Sequence, residues 1–246
     1  MTPPPVDAAM TVPDGLAGGA PPVPRYLEQV YWWAYVHPNA VHLFEREWLV
    51  NAILWGNYGR LRDAALSALG SAVGGRTLQV ACVYGNLTQR LLGRLAPEAR
   101  LDVVDILPVQ LRNLARKLRP DPRIALLHRD ASALDGAGDR YDQVLLFFLL
   151  HEMPEPVRRA TLAEALRVLK PGGRLVIVDY HRPVAWHPLR PLMRAVFRHL
   201  EPYAIDLWRH EIEHFLPADA AWQSLVRREW FGGLYQMRVL TKPAAP

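Results

Sequence analysis

Short apolar runs alternate with helical segments through the middle of this 246-residue chain, and this alternation limits the folds open to it. Such a pattern is typical of a parallel sheet whose strands are joined by crossover helices. The apolar runs are nearly continuous in Val, Leu and Ile, as burial on both faces of a sheet requires. The predicted strands are 77–83, 100–105, 124–128, 141–150 and 174–180.

Helical segments are predicted between these strands, at about 88–96, 107–118 and 155–169. Pro171-Gly172-Gly173 is expected to end the last helix and to turn the chain into the fifth strand. The C-terminal stretch indicates two further strands around Gly232-Gly233. The predicted fold is therefore an α/β, Rossmann-like, doubly wound sheet of seven mostly parallel strands over 71–246, with a helical insertion at about 182–220.

Two segments precede the predicted sheet. Residues 1–24 contain seven prolines and three glycines without apolar periodicity, which predicts a disordered tail. Residues 25–70 predict an aromatic-rich helical cap, in which Pro38 interrupts one helix and Asn39 caps the next. One face of the second helix either packs on the sheet domain or lines an apolar pocket or contacts lipid. That face carries Val41, Phe44, Trp48, Ala52 and Trp55.

Composition excludes several classes of protein. Half of the residues are apolar, which suits a packed core, but no apolar run approaches the roughly 20 residues that cross a bilayer. No secretory signal is visible, because no apolar stretch follows the first basic residue, Arg25. The single cysteine, Cys82, excludes a disulfide framework and favours the cytoplasm. The net charge of +5 decides little, and without a nucleic-acid-binding motif we expect no nucleic-acid partner.

Acidic residues after the second and third strands indicate a nucleoside-binding site. Ligands of doubly wound sheets bind at the carboxyl ends of the strands, beside the first strand. Asp105 ends the second strand 20 residues after Gly85, the spacing of a carboxylate that binds ribose hydroxyls. Asp130, followed by Ala131, comes after the third strand, where a side chain can reach an adenine edge. The alternative role of each aspartate is a helix cap or a solvated loop carboxylate.

These stretches resemble the class I S-adenosylmethionine-dependent methyltransferases. The resemblance covers about 75–181 and rests on TLQVACVYG, LDVVDILPVQL, HRDAS, YDQVLLFFLLHEMP and, most specifically, RVLKPGGRLVIVD. More narrowly, the chain is similar to the rhodoquinone-biosynthesis methyltransferase-like proteins over nearly all of 26–240. That similarity rests on YWWAYVHPNAVHLFEREWLVNAILWGN, VACVYGNLT, LLFFLLHE, VDYHRP and WFGGLYQ. It implies S-adenosylmethionine as cofactor, a membrane quinone as substrate, and transfer of an amino group to ubiquinone.

The turn after the first strand departs from the pattern of the superfamily. An acidic residue followed by a Gly-x-Gly-x-Gly-like turn is usual there, but Gln79 takes the acidic position. Ala81 and Val83 replace two glycines, and only Gly85 remains. Val83 and Tyr84 are expected to displace the methionine half of the cofactor while the ribose stays in place. Transfer of the α-amino nitrogen would need that displacement, and the alternative is a site that no longer binds the cofactor.

Four polar side chains are candidate catalytic residues. Tyr84 is a candidate general acid or amine-orienting group. Asn86 stands where the resemblance implies an aspartate, and an amide is a weaker ligand for a divalent metal such as Mn and cannot act as a base. His151 and His181 follow the fourth and fifth strands, at the edge where substrates bind, so acid–base catalysis is open to both. The alternative for both histidines is a polar loop residue.

His210-Glu211-Ile212-Glu213-His214 matches the zinc-protease motif H-E-x-x-H. Two histidines four residues apart on a helix can share a zinc ion. The match is short and no third ligand is indicated, so the segment favours an ordinary charged helix.

Residues 182–200 predict a basic amphipathic helix. Arg190, Arg194 and Arg198 recur at four-residue steps, and the apolar stripe consists of Leu189, Leu192, Met193, Val196, Phe197 and Leu200. Such a helix is typical of an interfacial contact with an anionic membrane, which would place the protein on the cytoplasmic side of the inner membrane. A lid helix that packs on the core is the other interpretation.

The sequence leaves three functions open. The first is amino transfer from S-adenosylmethionine to a membrane quinone, which converts ubiquinone to rhodoquinone. The second is a conventional methyltransferase of a small aromatic or amphiphilic acceptor. The third is a non-catalytic nucleoside-binding or assembly protein. Formation of S-adenosylhomocysteine would identify methyl transfer, and failure to bind S-adenosylmethionine would favour the third function.

Overall fold

The computed structural model describes residues 21–30 and 46–244. Most of the predicted tail therefore lies outside the described residues, as do Pro38, Asn39, Val41 and Phe44 of the predicted cap. The described strands form one seven-stranded sheet in the order β3-β2-β1-β4-β5-β7-β6. They are β1 (Arg76–Val80), β2 (Arg100–Asp105), β3 (Ile124–His128), β4 (Tyr141–Phe147), β5 (Leu169–Tyr180), β6 (Ser224–Trp230) and β7 (Tyr235–Thr241).

The sheet is parallel except at one edge. β1 pairs in parallel with β2 and with β4, while β2–β3 and β4–β5 extend the sheet on either side. β7 runs antiparallel to both β5 and β6. The structure thus confirms the predicted seven-stranded, mostly parallel sheet with a late hairpin. The strand order reverses between β1 and β4, where a doubly wound sheet opens a crevice at its carboxyl edge.

Helices cover the sheet. Pro108 begins the helix after β2 because proline fixes the first helical φ and the missing N–H would have no partner there. The helices are α1 (Arg25–Val30), α2 (Glu47–Ile53), α3 (Tyr58–Leu69), α4 (Leu87–Leu92), α5 (Pro108–Lys117), α6 (Glu155–Val168), α7 (Arg190–His199) and α8 (Asp206–Arg209). Short 3₁₀ turns occupy Leu150–Glu152 and Ile212–Phe215. None of the described helices is long and apolar enough to span a membrane.

The core lies on both sides of the central strands. Val144, Leu145 and Leu146 in β4 are fully buried, although their side chains alternate between the two faces of the sheet. Leu61 and Leu66 of α3 are also fully buried. This two-sided burial explains why the strands are continuous apolar runs instead of alternating ones.

Two strands end earlier than their apolar content predicts. The first ends at Val80 instead of residue 83, and the fourth ends at Phe147 instead of residue 150. Ala81 and Phe148 have φ values of 70° and 51°, in the left-handed region that turns a chain out of an extended strand. Both turns lie at the carboxyl edge, where the chain leaves the sheet beside the crevice. The helix predicted over 88–96 is also shorter, ending at Leu92.

The fifth strand begins earlier than predicted. Pro171-Gly172-Gly173 lies inside β5 instead of forming a turn before it. Gly172 has a φ of +75°, and its N–H donates to the carbonyl oxygens of Lys242 and Pro243. The pairing of β4 with β5 is irregular here, because the register shifts between Tyr141 and Gln143. Glycine permits this irregularity without ending the strand.

The H-E-x-x-H segment is not a continuous helix, contrary to the expectation of an ordinary charged helix. α8 ends at Arg209, and a 3₁₀ turn begins at Ile212. The rings of His210 and His214 stack with centroids 4.1 Å apart, and the Arg159 guanidinium lies 3.0 Å from His214 Nε2. A cation at this distance from Nε2 leaves no favourable position for a metal ion at that nitrogen.

Candidate active site

A cavity of about 490 Å³ opens at the carboxyl edge of the sheet, beside the reversal of strand order. The segments after β1, β2, β3 and β4 form its floor, and parts of α1, α2 and α7 close it from above. Most of the lining is apolar or aromatic, the usual composition of a site for an organic ligand. The polar lining side chains include Tyr84, Asp105, Gln110, Asp130, His151, Glu152 and Glu201.

The turn after β1 is held by the glutamine that replaces the usual acidic residue. Gln79 is completely buried, and its amide donates to the carbonyl oxygen of Ala81 at 3.0 Å. Its oxygen accepts a hydrogen bond from the Thr88 hydroxyl, also at 3.0 Å. A neutral amide can make both contacts in a buried place without the cost of a buried charge. Val83 and Tyr84 line the cavity, and Gln110 donates to the Tyr84 hydroxyl at 2.8 Å.

Gly85, the glycine that remains in this turn, allows a close contact between the turn and the cap. It has a φ of +83° and does not line the cavity. A Cβ at this position would come within 2.5 Å of the Tyr58 hydroxyl oxygen. That oxygen accepts a hydrogen bond from the Asn86 N–H at 2.9 Å, and the Tyr58 side chain lines the cavity. The glycine therefore allows the cap residue Tyr58 to approach the turn.

Asn86 lies behind the cavity wall in a network of charged groups. Its Oδ1 accepts a hydrogen bond from the buried Arg62 guanidinium at 2.8 Å, and its Nδ2 donates to Glu47 at 2.7 Å. Arg62 also pairs with Glu47 at 3.1 Å. Both ends of the amide are thus occupied, and its oxygen faces a cation. This donor set does not fit the divalent metal considered from the sequence, and the described residues contain no group of three or more His, Cys, Asp or Glu side chains that could hold one.

Asp105 lies in the cavity at the end of β2, as the sequence predicts. Its two oxygens accept hydrogen bonds from the N–H groups of Cys82, at 2.7 Å, and Leu107, at 2.8 Å. Burial raises the pKa of Asp105 to about 6, because the two backbone donors only partly offset the loss of hydration. Each oxygen keeps a second lone pair, so the carboxylate can still accept hydrogen bonds from a ribose diol.

Asp130 and Ala131 also line the cavity, beyond β3. One oxygen of Asp130 accepts hydrogen bonds from the Ser132 N–H and hydroxyl, at 2.8 and 2.7 Å. These local bonds fix the loop and orient the carboxyl group. Asp130 therefore stabilises the loop after β3, close to the alternative role that the sequence left open for it. Its position in the cavity wall also suits contact with a ligand.

His151 belongs to a buried cluster of charged groups. Its Nδ1 lies 2.8 Å from Asp179, and its Nε2 lies 3.4 Å from Glu201 and 3.7 Å from Glu152. Burial would lower the pKa of His151, but the charges of Asp179 and Glu201 outweigh this effect and raise it to about 10. At neutral pH the side chain is therefore an imidazolium. It can donate a hydrogen bond or stabilise negative charge, but it cannot accept a proton.

Asp179 and Glu201 were missed as functional candidates in the sequence. Asp179 is completely buried at the end of β5, and its second oxygen accepts the N–H of Leu150 at 2.8 Å. A carboxylate inside the apolar strand RLVIVDY was the available signal for it. Glu201 was signalled only as the first acidic residue after the arginine-rich segment. Both are brought to His151 by tertiary structure.

Aromatic rings surround the imidazole. The Tyr180 ring centroid lies 4.9 Å from that of His151, and the Phe148 centroid lies 6.1 Å away, both in edge arrangements. Tyr180 and Phe148 line the cavity. This end of the cavity therefore offers flat apolar surfaces beside a positive charge, which suits an aromatic ligand with an oxygen substituent.

His181 lies outside the cavity lining. Its Nδ1 is 2.9 Å from the Gly233 carbonyl oxygen, and its Nε2 is 3.3 Å from Glu211. Glu211 also accepts a hydrogen bond from Arg238 at 2.6 Å. These contacts join the end of β5 to the β6–β7 turn. The structure thus brings His151 to the cavity and places His181 in a different network.

Comparison with known proteins agrees with this geometry. Residues 77–173 match the model of a methyltransferase domain. The demethylmenaquinone methyltransferase of Beutenbergia cavernae is 30% identical over 217 residues, which cover 80% of this chain and 86% of the relative. The chain belongs to the class I S-adenosylmethionine-dependent methyltransferases.

Other members of this family match over shorter lengths. The demethylmenaquinone methyltransferase of Renibacterium salmoninarum is 34% identical over 147 residues, so the match covers 57% of this chain and 58% of the relative. Among solved structures, the N-methyltransferase NodS of Bradyrhizobium japonicum superposes with a TM-score of 0.55 at 17% identity, over 78% of this methyltransferase and 98% of NodS. The structural likeness shows the shared fold.

Proposed function

We propose that this methyltransferase transfers a methyl group from S-adenosylmethionine to the ring of a reduced lipophilic quinone. The observation that carries the proposal is one apolar cavity whose wall contains Asp105 and also His151 and Glu201, with Asp179 buried behind His151. Two relatives that are similar to this chain are named as demethylmenaquinone methyltransferases, which supports a quinone acceptor.

The nucleoside half of the donor is assigned to residues after β2 and β3. Asp105 accepts hydrogen bonds from the ribose hydroxyls, while Asp130 and Ala131 lie at the adenine. The half-buried Val83 and Tyr84 lie at the methionine half. When bound, S-adenosylmethionine supplies an electrophilic methyl group.

The acceptor ring is assigned to the aromatic end of the cavity. The His151 imidazolium stabilises negative charge on a ring oxygen, which makes the neighbouring ring carbon more nucleophilic. Asp179 holds the imidazole in orientation through Nδ1 and keeps it charged. Glu201, a carboxylate in the cavity wall, accepts a proton from the ring. Tyr180 and Phe148 pack against the ring and exclude water.

Amino transfer to the quinone ring is the second candidate. It is favoured by the turn after β1, where Val83 places a branched side chain in the cavity wall at a position that is glycine in the superfamily pattern. A displaced methionine half would bring its amino group, instead of its methyl group, toward the acceptor. Asn86 weighs against this candidate, because its amide is bound to Arg62 and Glu47.

Product analysis separates the two candidates. The purified protein is incubated with S-adenosylmethionine and either reduced demethylmenaquinone or ubiquinone, and the products are identified by mass spectrometry. Methyl transfer gives S-adenosylhomocysteine and methylated quinone in equal amounts. An aminated quinone without S-adenosylhomocysteine would establish the second candidate. If the protein binds S-adenosylmethionine in a calorimetric titration but alters neither quinone, a quinone acceptor is refuted.

A further inference from the structure

Exposed apolar side chains mark the mouth of the cavity. Ile53 and Trp55, at the end of α2, line the cavity and are 43% and 40% exposed. Leu200, at the end of α7, also lines the cavity and is 45% exposed. Side chains that line a cavity and also reach solvent lie at its opening. The mouth of the cavity is therefore apolar both where α2 borders it and where α7 borders it.

The two sides of α7 have different roles. Met193 and Phe197 are buried in the core, which corrects the expectation that they lie on a lipid-facing stripe. Leu192, Val196 and Leu200 recur at four-residue steps, and two of these, Val196 and Leu200, line the cavity. α7 is thus packed on the core as a lid helix, yet Leu192 and Leu200 are exposed, and Leu200 lies at the cavity mouth.

Basic side chains and an exposed tryptophan lie on the other flank of α7, so the arginine stripe and the Leu192–Leu200 stripe border the exposed face of the helix from its two sides. Trp186 is 81% exposed and lines a shallow depression together with Arg190 and Arg194. Arg198 follows Arg194 by one helical turn, and both are exposed. Neither has an ion-pair partner in the part of the chain that the structure describes. Exposed arginines and an exposed tryptophan on one helix and the segment before it are the side chains expected at an anionic lipid interface.

We propose that this surface docks on an anionic lipid bilayer, with the mouth of the cavity toward the headgroups. The docking surface comprises Ile53, Trp55, Trp186, Leu192, Arg194, Arg198 and Leu200. The aromatic and aliphatic residues enter the boundary of the headgroups, while the arginines pair with lipid phosphates. A lipophilic substrate then enters the cavity from the bilayer without crossing water. The docking itself does not depend on which group is transferred or on the proposed quinone.

Vesicle binding tests the proposal with residues outside the cavity lining. Cosedimentation is measured with vesicles of phosphatidylcholine alone or with phosphatidylglycerol added, without quinone. The protein is expected to bind the anionic vesicles and to be released by salt, because exposed charges are screened. The variant Trp186→Ser/Arg194→Gln/Arg198→Gln is expected to bind at least about 25-fold more weakly, since each arginine near an anionic surface contributes about fivefold.

A matched control lies at the opposite edge of the sheet. Trp222 is exposed next to Gln223, whose N–H donates to the Thr241 carbonyl oxygen. Thr241 pairs with Arg174, which pairs in turn with Gln143 near the beginning of β4. Arg100 at the start of β2 and Arg119 before β3 are exposed near the same edge. The variant Trp222→Ser/Arg100→Gln/Arg119→Gln removes the same residue types and is expected to bind vesicles as the parent does.

Folding is monitored by circular dichroism and by S-adenosylmethionine affinity. If the triple variant does not fold, Leu192→Asp is used instead, because this exposed leucine does not line the cavity and its charge should oppose docking. The proposal is overturned if the parent ignores anionic vesicles at low salt. It is also overturned if the folded variant binds like the parent or the control loses binding equally. A protein that binds vesicles but modifies no quinone would refute the proposed function alone.

Discussion

Replacement of Asp179 by asparagine isolates the charge that keeps His151 protonated. The substitution preserves size, and an amide oxygen can still accept the Leu150 N–H. It removes the negative charge 2.8 Å from the imidazole and so deprives the buried His151 side chain of its nearest counter-ion. Breaking a buried pair in this way costs about 3–5 kcal/mol. We expect the free energy of unfolding at pH 7 to fall by about 3 kcal/mol, the lower end, because Glu201 and Glu152 remain near Nε2.

The pH dependence supplies a signature that simple loss of packing would not. The folded-state pKa of His151, about 10, lies above the ordinary value of 6.5. The stabilisation from His151 is therefore complete below about pH 6.5 and is lost as pH rises through about 10. The Asp179→Asn variant should have a lower free energy of unfolding than the parent mainly below pH 10. Its free energy of unfolding should therefore change less with pH between 6 and 10. Urea unfolding of the parent and the variant across pH 6 to 10 measures this difference. NMR of the His151 ring measures its pKa directly.

A surface pair provides the control for this substitution. Asp142 binds Lys170 at 3.0 Å, and both side chains are about 40% exposed. Asp142→Asn should cost less than about 1 kcal/mol, since exposed ion pairs contribute little. A His151 that titrates near 6.5 in the parent, or an Asp179→Asn variant no less stable than the Asp142→Asn variant, would refute the reasoning. The proposed function adds that Asp179→Asn lowers kcat more than it alters the affinity for S-adenosylmethionine.

Three other predictions concern Asp105 and Gly85. Asp105→Ala should weaken S-adenosylmethionine binding at least tenfold, because charge-assisted hydrogen bonds contribute roughly 1.5–3 kcal/mol. An unchanged calorimetric affinity in a folded variant would show that Asp105 is not part of the binding site. In the parent, affinity should fall as pH drops through about 6, the raised pKa of Asp105, and a flat profile from pH 5 to 7 would contradict this. Gly85→Ala should lower the free energy of unfolding by about 2 kcal/mol, because a left-handed φ and the Tyr58 hydroxyl both oppose a Cβ. Gly56→Ala shares the positive φ but meets nothing within 4 Å, so equal losses in the two alanine variants would exclude the Tyr58 contact as a cause.

The sheet was predictable because a buried strand is visible in the sequence as a continuous run of apolar residues. β2 and β3 begin and end where their apolar runs do, at 100–105 and 124–128. The ends of β1 and β4 were predicted too late, since Ala81 and Phe148 are apolar residues that the surrounding structure holds at positive φ. Apolar character alone does not distinguish a residue that continues a strand from one that turns away at its edge.

The charged networks could not be predicted from the sequence. His151 meets Asp179 through the pairing of β4 with β5, and it meets Glu201 because α7 folds back over the cavity. Asn86 contacts Arg62 and Glu47, which lie 24 and 39 residues earlier in the chain. Each contact joins residues far apart in the chain, and the local sequence carries no sign of its partner.

The sequence by itself determined the order of strands and helices, the position of Asp105 at the end of β2 and the amphipathic character of α7. These properties depend on the spacing of apolar and polar residues along a single element, which is a local quantity. Only the tertiary structure decided which apolar residues of α7 face the core and which surround the cavity mouth. It also made His151 an imidazolium, because the pKa of a buried group is set by the charges that the fold brings to within a few ångströms of it.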